Sequence, residues 1–246
     1  MNNSKSIKIN IIGDLGTIVT IHGTQKLKSE DSGPLNSIDY ANPLFGLFHL
    51  QKALLELILK YYHKPGCSDF AHLDAFIQLH NLKGFTDGKC PHFKKAEDLM
   101  LSVYGSYVTA WIINKYPHPD PTAAPTQKRN HAAREMMVIG REAVMSQVVG
   151  PMFTDIFDQR NRFVRSGFPR SDGQGPPITQ LDQAGQLVSI IGLYLELKET
   201  IKYGRVGKLD PLFELLLPVF SGSSSKLYTR ELIKMVLLKR STSTEA

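Results

Sequence analysis

Two cysteines, Cys67 and Cys90, and one tryptophan are all that 246 residues carry of either type. Two thiols cannot build a disulfide framework, so a reducing, intracellular setting is expected. A long apolar run is also missing. The richest apolar segment, LFELLLPVF at 212–220, falls far short of the roughly 20 residues a membrane helix needs. The opening MNNSKSIKIN lacks the apolar core of a secretory leader, so no membrane partner is expected. Basic clusters such as KKAED and LLKR are too short to act as import signals, which leaves a nuclear location open.

Several chemistries are excluded by spacing. Cys67, Cys90 and His92, with His63 or His72, are metal-ligating residue types. They lack the paired Cys-x₂₋₄-Cys of a zinc site. The glycines of SDGQG and SGSSS are followed by no Lys-Ser/Thr in the frame of a phosphate cradle. No Ser-His-Asp or Cys-His catalytic grouping emerges from spacing.

What is present suits a packed core: hydrophobic residues are 42 % and charged residues 21 %. Lys and Arg number 29 against 23 Asp and Glu, a net charge of +6. The excess is scattered, and it permits a polyanion partner without requiring one. Lys128, Arg129, Arg134 and Arg141 form one basic stretch. Arg160, Arg162, Arg165 and Arg170 form another, in DQRNRFVRSGFPR, where aromatics interleave with arginines as on a nucleic-acid surface. Solvated helix faces account for such charges equally well.

Periodicity predicts a mainly α chain with a small parallel β–α–β element at its N-terminus. Ile7, Ile9 and Ile11 alternate with polar residues, the period of a half-buried strand. Gly13 and Asp14 end it. A short helix is expected over Thr17–Lys28, a loop over 29–43 and a second strand over Leu44–Leu47. In FHLQKALLELILKYYH, 48–63, the polar positions His49, Lys52, Glu56, Lys60 and His63 form one solvent stripe. Ser68 is expected to cap a helix reaching Asn81, and another helix is expected over His92–Lys115. The segment 116–126 holds four prolines and reads as a loop. Helices follow over 128–163, broken at Gly150-Pro151, and over 180–203, 209–220 and 226–239. The expected organisation is a first segment 1–65, a helical insertion 66–165, C-terminal helices 178–240 and a frayed tail 241–246.

Three segments, in order, carry a family resemblance: GDLGT, then PLFGLFHLQKALLELI, then LYLELKETIKYGRVGKLDPLFELLLPVFSGSSSKLYTRELIKMVLL. Over residues 8–240 the chain resembles the domain of unknown function 6589 family, which is abundant in fungal genomes and associated with transposable elements. A looser similarity is to ribonuclease-H-like transposases of the Mutator type. That likeness implies a partial ribonuclease-H-like α/β fold with a large helical insertion. It casts Asp14 as a strand-end metal ligand and His49 as the histidine at the start of the following helix. Such a fold cuts DNA with two Mg²⁺ ions roughly 3.5–4 Å apart, held by carboxylate oxygens.

The chain departs from that pattern in three places. It begins at the strand bearing Asp14. The family's Gly-Asp-x-Gly reads Gly204-Arg205-Val206-Gly207. It stops soon after Tyr228-Thr229-Arg230-Glu231, leaving Glu231 as the one further acid to nominate. The resemblance therefore implies a transposon-derived fragment without nuclease activity, needing no cofactor, or Mg²⁺ if active, with DNA as a candidate partner. Two rivals stand beside it. One is a helical protein-interaction module without chemistry. The other is a Mg²⁺-dependent nuclease completed by another chain. For Asp14 itself, a turn or helix-cap role is the alternative to metal ligation.

Overall fold

A computed structural model describes residues 9–28, 41–85, 92–139, 180–223 and 225–243. The expected helical break at Gly150-Pro151 and the arginines Arg160, Arg162, Arg165 and Arg170 lie outside the described residues. The architecture is mainly helical. Strand β1 (Ile9–Gly13) leads into helix α1 (Leu15–Leu27), then strand β2 (Ala41–Phe45) and helix α2 (Leu47–Tyr62). Helices α3 (Leu73–Leu79), α4 (Phe93–Lys115) and α5 (Pro125–Ile139) follow. After these come α6 (Gln180–Lys202), a short 3₁₀ turn (Val206–Lys208), α7 (Leu209–Ser221) and α8 (Lys226–Ser243).

The described residues fall into two compact units. One is drawn from 1–54 and 198–246, the other from 55–197. Thus the opening strands and the closing helices share a unit, although most of the chain separates them in sequence.

In the first unit β1 and β2 pair in parallel, Ile9 opposite Ala41 and Gly13 opposite Phe45. Among the described residues the sheet has only these two strands. Pro43 sits opposite Ile11. Its missing N–H suits an edge strand. Helix α1 packs on β1 and β2, burying Ile18 completely. On the face the alternation marks, Ile11 is half-buried but Ile9 is 53 % exposed; Ile12, on the other face, is 72 % exposed. Helix α7 packs against α8, with Leu212, Phe213, Leu216, Val219 and Phe220 buried. Phe220 meets Tyr228 of α8 at 5.4 Å between ring centroids.

Helix α6 ends at a glycine. Gly204 has φ of 60°, its N–H donates to Ile201 O, and the Arg205 N–H donates to Thr200 O. This is a left-handed helix termination, which glycine adopts at least cost. Arg205 places its guanidinium 5.1 Å from the Tyr203 ring centre, a cation–π distance.

The second unit is helical. Buried Tyr62, Leu73, Phe76, Leu99, Met100, Val103, Leu187, Ile191 and Tyr194 are among its core residues. The solvent stripe on α2 holds at Lys52, Glu56 and Lys60, all exposed. It fails at His63, which is buried against Asp74 with Nε2 to Oδ1 at 3.5 Å. Helix α3 begins later than expected, after His72 and not after Ser68. The Tyr107 hydroxyl of α4 donates to Phe70 O; the Phe70 ring meets Phe76 edge-on, and Phe76 meets Tyr107 at a tilt. Residues 67–72 are non-helical, with Phe70 held in this aromatic cluster.

Candidate functional site

The motif GDLGT folds as a strand-to-helix turn, and each of its constrained positions has a local reason. Asp14 is the N-cap of α1, and its Oδ1 accepts from the Thr17 N–H at 2.7 Å. A carboxylate here satisfies an amide that α1 leaves without an intrahelical partner. A Cβ on Gly13 would meet Thr17 Cγ2 at 2.8 Å, closer than packed side chains tolerate. So Thr17 requires glycine at 13, and Asp14 requires a free amide at 17. The Thr17 amide, then its hydroxyl, hold the Asp14 carboxyl below its ordinary value of 3.8, and nearby His49 pulls it down further.

The second motif meets the first at the strand ends. The Gly46 N–H donates to Gly13 O at 2.8 Å. A Cβ on Gly46 would lie 3.3 Å from the His49 ring and 3.5 Å from Gly13 O. His49 is half-buried, and its carbonyl accepts from the Tyr228 hydroxyl of α8 at 3.3 Å. Two of the predicted residues, Asp14 and His49, are therefore brought into electrostatic reach of each other.

Glu231 has a different environment. It is 4 % exposed. Its Oε1 accepts from Lys234 Nζ at 2.9 Å and Arg230 Nε at 3.2 Å. Lys234 Nζ also lies 3.1 Å from His22 Nε2. His22 Nδ1 is 3.2 Å from Gln25 Oε1, and Gln25 Nε2 donates to Ala41 O at 2.6 Å. The chain of bonds has one consistent polarity. Gln25 gives its amide hydrogens to Ala41, so its oxygen faces His22 Nδ1–H. That leaves Nε2 bare to accept from Lys234. Glu231 thereby helps tie α8 to α1 and β2.

These donors do not fit the two-Mg²⁺ centre that the resemblance implies. Hard divalent ions need several free carboxylate oxygens directed at one point. Here one Asp14 oxygen caps a helix and one Glu231 oxygen takes two cationic donors. Among the described residues no group of three or more His, Cys, Asp and Glu side chains is placed to hold a metal ion. Asp14 and Glu231, the acids the resemblance casts as ligands, each have one oxygen engaged in the scaffold.

Sequence reasoning missed the second unit's buried acids. Asp74, 6 % exposed, accepts from the Gly66 N–H at 2.8 Å and from Gln78 Nε2, and it faces His63. Glu97, 7 % exposed, accepts from the Tyr194 hydroxyl at 3.2 Å. Their burial depends on partners that sequence spacing does not link to them, Gly66 and His63 for Asp74 and Tyr194 for Glu97. Cys67 Sγ is 3.7 Å from His72 Nδ1. Burial, with the Lys64 charge, holds the His72 imidazole below its ordinary 6.5, against the opposing pull of Asp69.

Fold and site together define a mainly helical protein built around a parallel strand pair. Its motif residues serve the strand-to-helix turns. The chain belongs to the family of unknown function DUF6589, whose model matches residues 2–246. No curated protein and no solved structure matches it. No helix among the described residues is long and apolar enough to cross a membrane.

Proposed function

We propose that the chain is a non-catalytic, transposon-derived relative of the ribonuclease-H-like nucleases, acting by binding and not by chemistry. The observation that carries this reading is the engagement of both candidate acids. Asp14 stands at the strand end, where the resemblance calls for a metal ligand, yet it caps α1 through Thr17. Glu231 is sealed against Lys234 and Arg230. A parallel strand pair is present, and both acids are engaged by neighbouring side chains and amides. DNA is the proposed partner, on the strength of the arginines 160, 162, 165 and 170 and the net charge of +6. An intracellular location, including the nucleus, goes with that partner.

Fluorescence anisotropy with duplex and single-stranded DNA across a salt series tests the binding. Affinity is expected at low salt and is expected to fall linearly on a logarithmic salt axis. Absence of binding at low salt removes the nucleic-acid part. Incubation with supercoiled plasmid and Mg²⁺ tests the chemistry. Nicking that is lost in Asp14→Asn would establish instead a nuclease completed by another chain.

One observation favours a second reading, a protein-interaction module. Ile9, Ile12 and Phe48 in the first unit are each more than half exposed. Apolar side chains beside a two-stranded sheet are what an added strand would cover. Concentration-dependent sedimentation in the absence of nucleic acid would support it.

A further inference from the structure

In the second unit the junction of α3 and α4 forms a groove of about 560 Å³, lined by His80, Asn81, Lys83, Lys95, Asp98 and Ser102 among others. Its shape follows from how α3 stops. Asn81 has φ of 49°, its N–H donates to Gln78 O, and the Leu82 N–H donates to Ile77 O. This double bond pattern ends a helix with one left-handed residue, and asparagine tolerates that conformation better than most. The chain is turned so that Lys83 and Lys95 line the same groove. His80 Nε2 and Ser102 Oγ, 2.9 Å apart, pin the end of α3 to α4.

The charges in the groove are unbalanced. Asp98, the one carboxylate among its lining residues, is held by Lys94 Nζ at 2.9 Å. Among the described residues neither Lys83 nor Lys95 has an ion-pair partner. Two unpaired ammonium groups, the Asn81 amide and the His80 imidazole thus line one concavity. Its volume lies within the roughly 300–1,000 Å³ of small-ligand sites. Lysine serves phosphate as a compact point charge and needs no fixed fork geometry.

We propose that this groove binds a phosphate group, with Lys83 and Lys95 supplying the charge and Asn81 and His80 the directional contacts. The phosphate belongs either to a small phosphate ester or to a nucleic-acid strand. This goes beyond the function proposed above, which rests on a different part of the chain.

Calorimetric titration of the full chain with adenosine monophosphate and with inorganic phosphate at low salt provides the test, with a short single-stranded oligonucleotide as a third arm. For the monophosphate, Kd on the order of 1 mM or tighter is expected. Lys83→Ala and Lys95→Ala are each expected to weaken it about threefold, and together about tenfold. Lys94→Ala leaves the Asp98 carboxylate in the groove without its cation and is expected to raise Kd by about twofold. Thermal unfolding of each variant checks that it folds, and phosphate should raise the melting temperature of the parent but not of the double variant. Binding of the oligonucleotide alone, lost in the double variant, assigns the phosphate to a strand. No binding of any probe to the parent overturns the proposal, as does equal binding by parent and folded double variant. Oligonucleotide binding untouched by the double variant overturns this groove while leaving the DNA-binding reading intact.

Discussion

Lys234 Nζ lies 3.1 Å from His22 Nε2, a contact closed across 212 residues. It joins the last described helix to the first, and the same ammonium reaches the buried carboxylate of Glu231. The bond is directional: it requires His22 to carry its hydrogen on Nδ1, toward Gln25.

That relationship predicts an energetic coupling. In a double-mutant cycle on His22→Ala and Lys234→Ala, measured by urea unfolding, the coupling is expected at about 0.5–1.5 kcal/mol. Additive effects would mean that the contact does not hold the two helices together.

Asp14 as a helix cap predicts a hierarchy of substitutions. Asp14→Asn keeps an oxygen for the Thr17 amide and should unfold close to the parent. Asp14→Ala should melt lower than either, because the amide loses its acceptor. The carboxyl is held below 3.8 in the folded chain. Its contribution is therefore complete above 3.8 and is lost as pH falls through the lowered folded value. Acid unfolding of Asp14→Asn should lack that component.

His72 should titrate below 6.5 in a proton NMR experiment, because burial and Lys64 disfavour its charged form. A depressed base contributes stability that is fully present above 6.5 and is lost as pH falls through the folded value. Unfolding free energy should thus decline on acidification past 6.5, and less steeply in His72→Gln. A midpoint at or above 6.5 would contradict the surroundings of this side chain.

Asp74 gathers a backbone amide, Gln78 and His63 in a buried position. Asp74→Ala leaves those donors unsatisfied and should cost about 1–3 kcal/mol in chemical denaturation. Asp74→Asn should cost less, since it still accepts from Gly66.

Much of the fold is legible along the chain because its signals are local. The solvent stripe at Lys52, Glu56 and Lys60 marks α2, and the expected helix over His92–Lys115 matches α4 within one residue. The start of α3 was misread because Ser68 looks like a cap, whereas Tyr107 and Phe76, from α4 and α3 itself, hold Phe70 in an irregular segment. His63 was misread because its periodicity matches the stripe while Asp74, beyond a turn, draws it inward.

The amino-acid sequence by itself determined most of the helices and which family the chain joins, since periodicity, glycine placement and motif order are properties of neighbouring residues; the second strand, expected over 44–47, lies at Ala41–Phe45. Only the tertiary structure decided what the acids do. A carboxylate's role depends on which donors reach it: Thr17 reaches Asp14 from three residues away, whereas His22 is linked to Glu231 through Lys234 by the packing of distant helices. Periodicity carries no record of such a meeting, because its physical cause is the closeness of side chains that the chain itself keeps far apart.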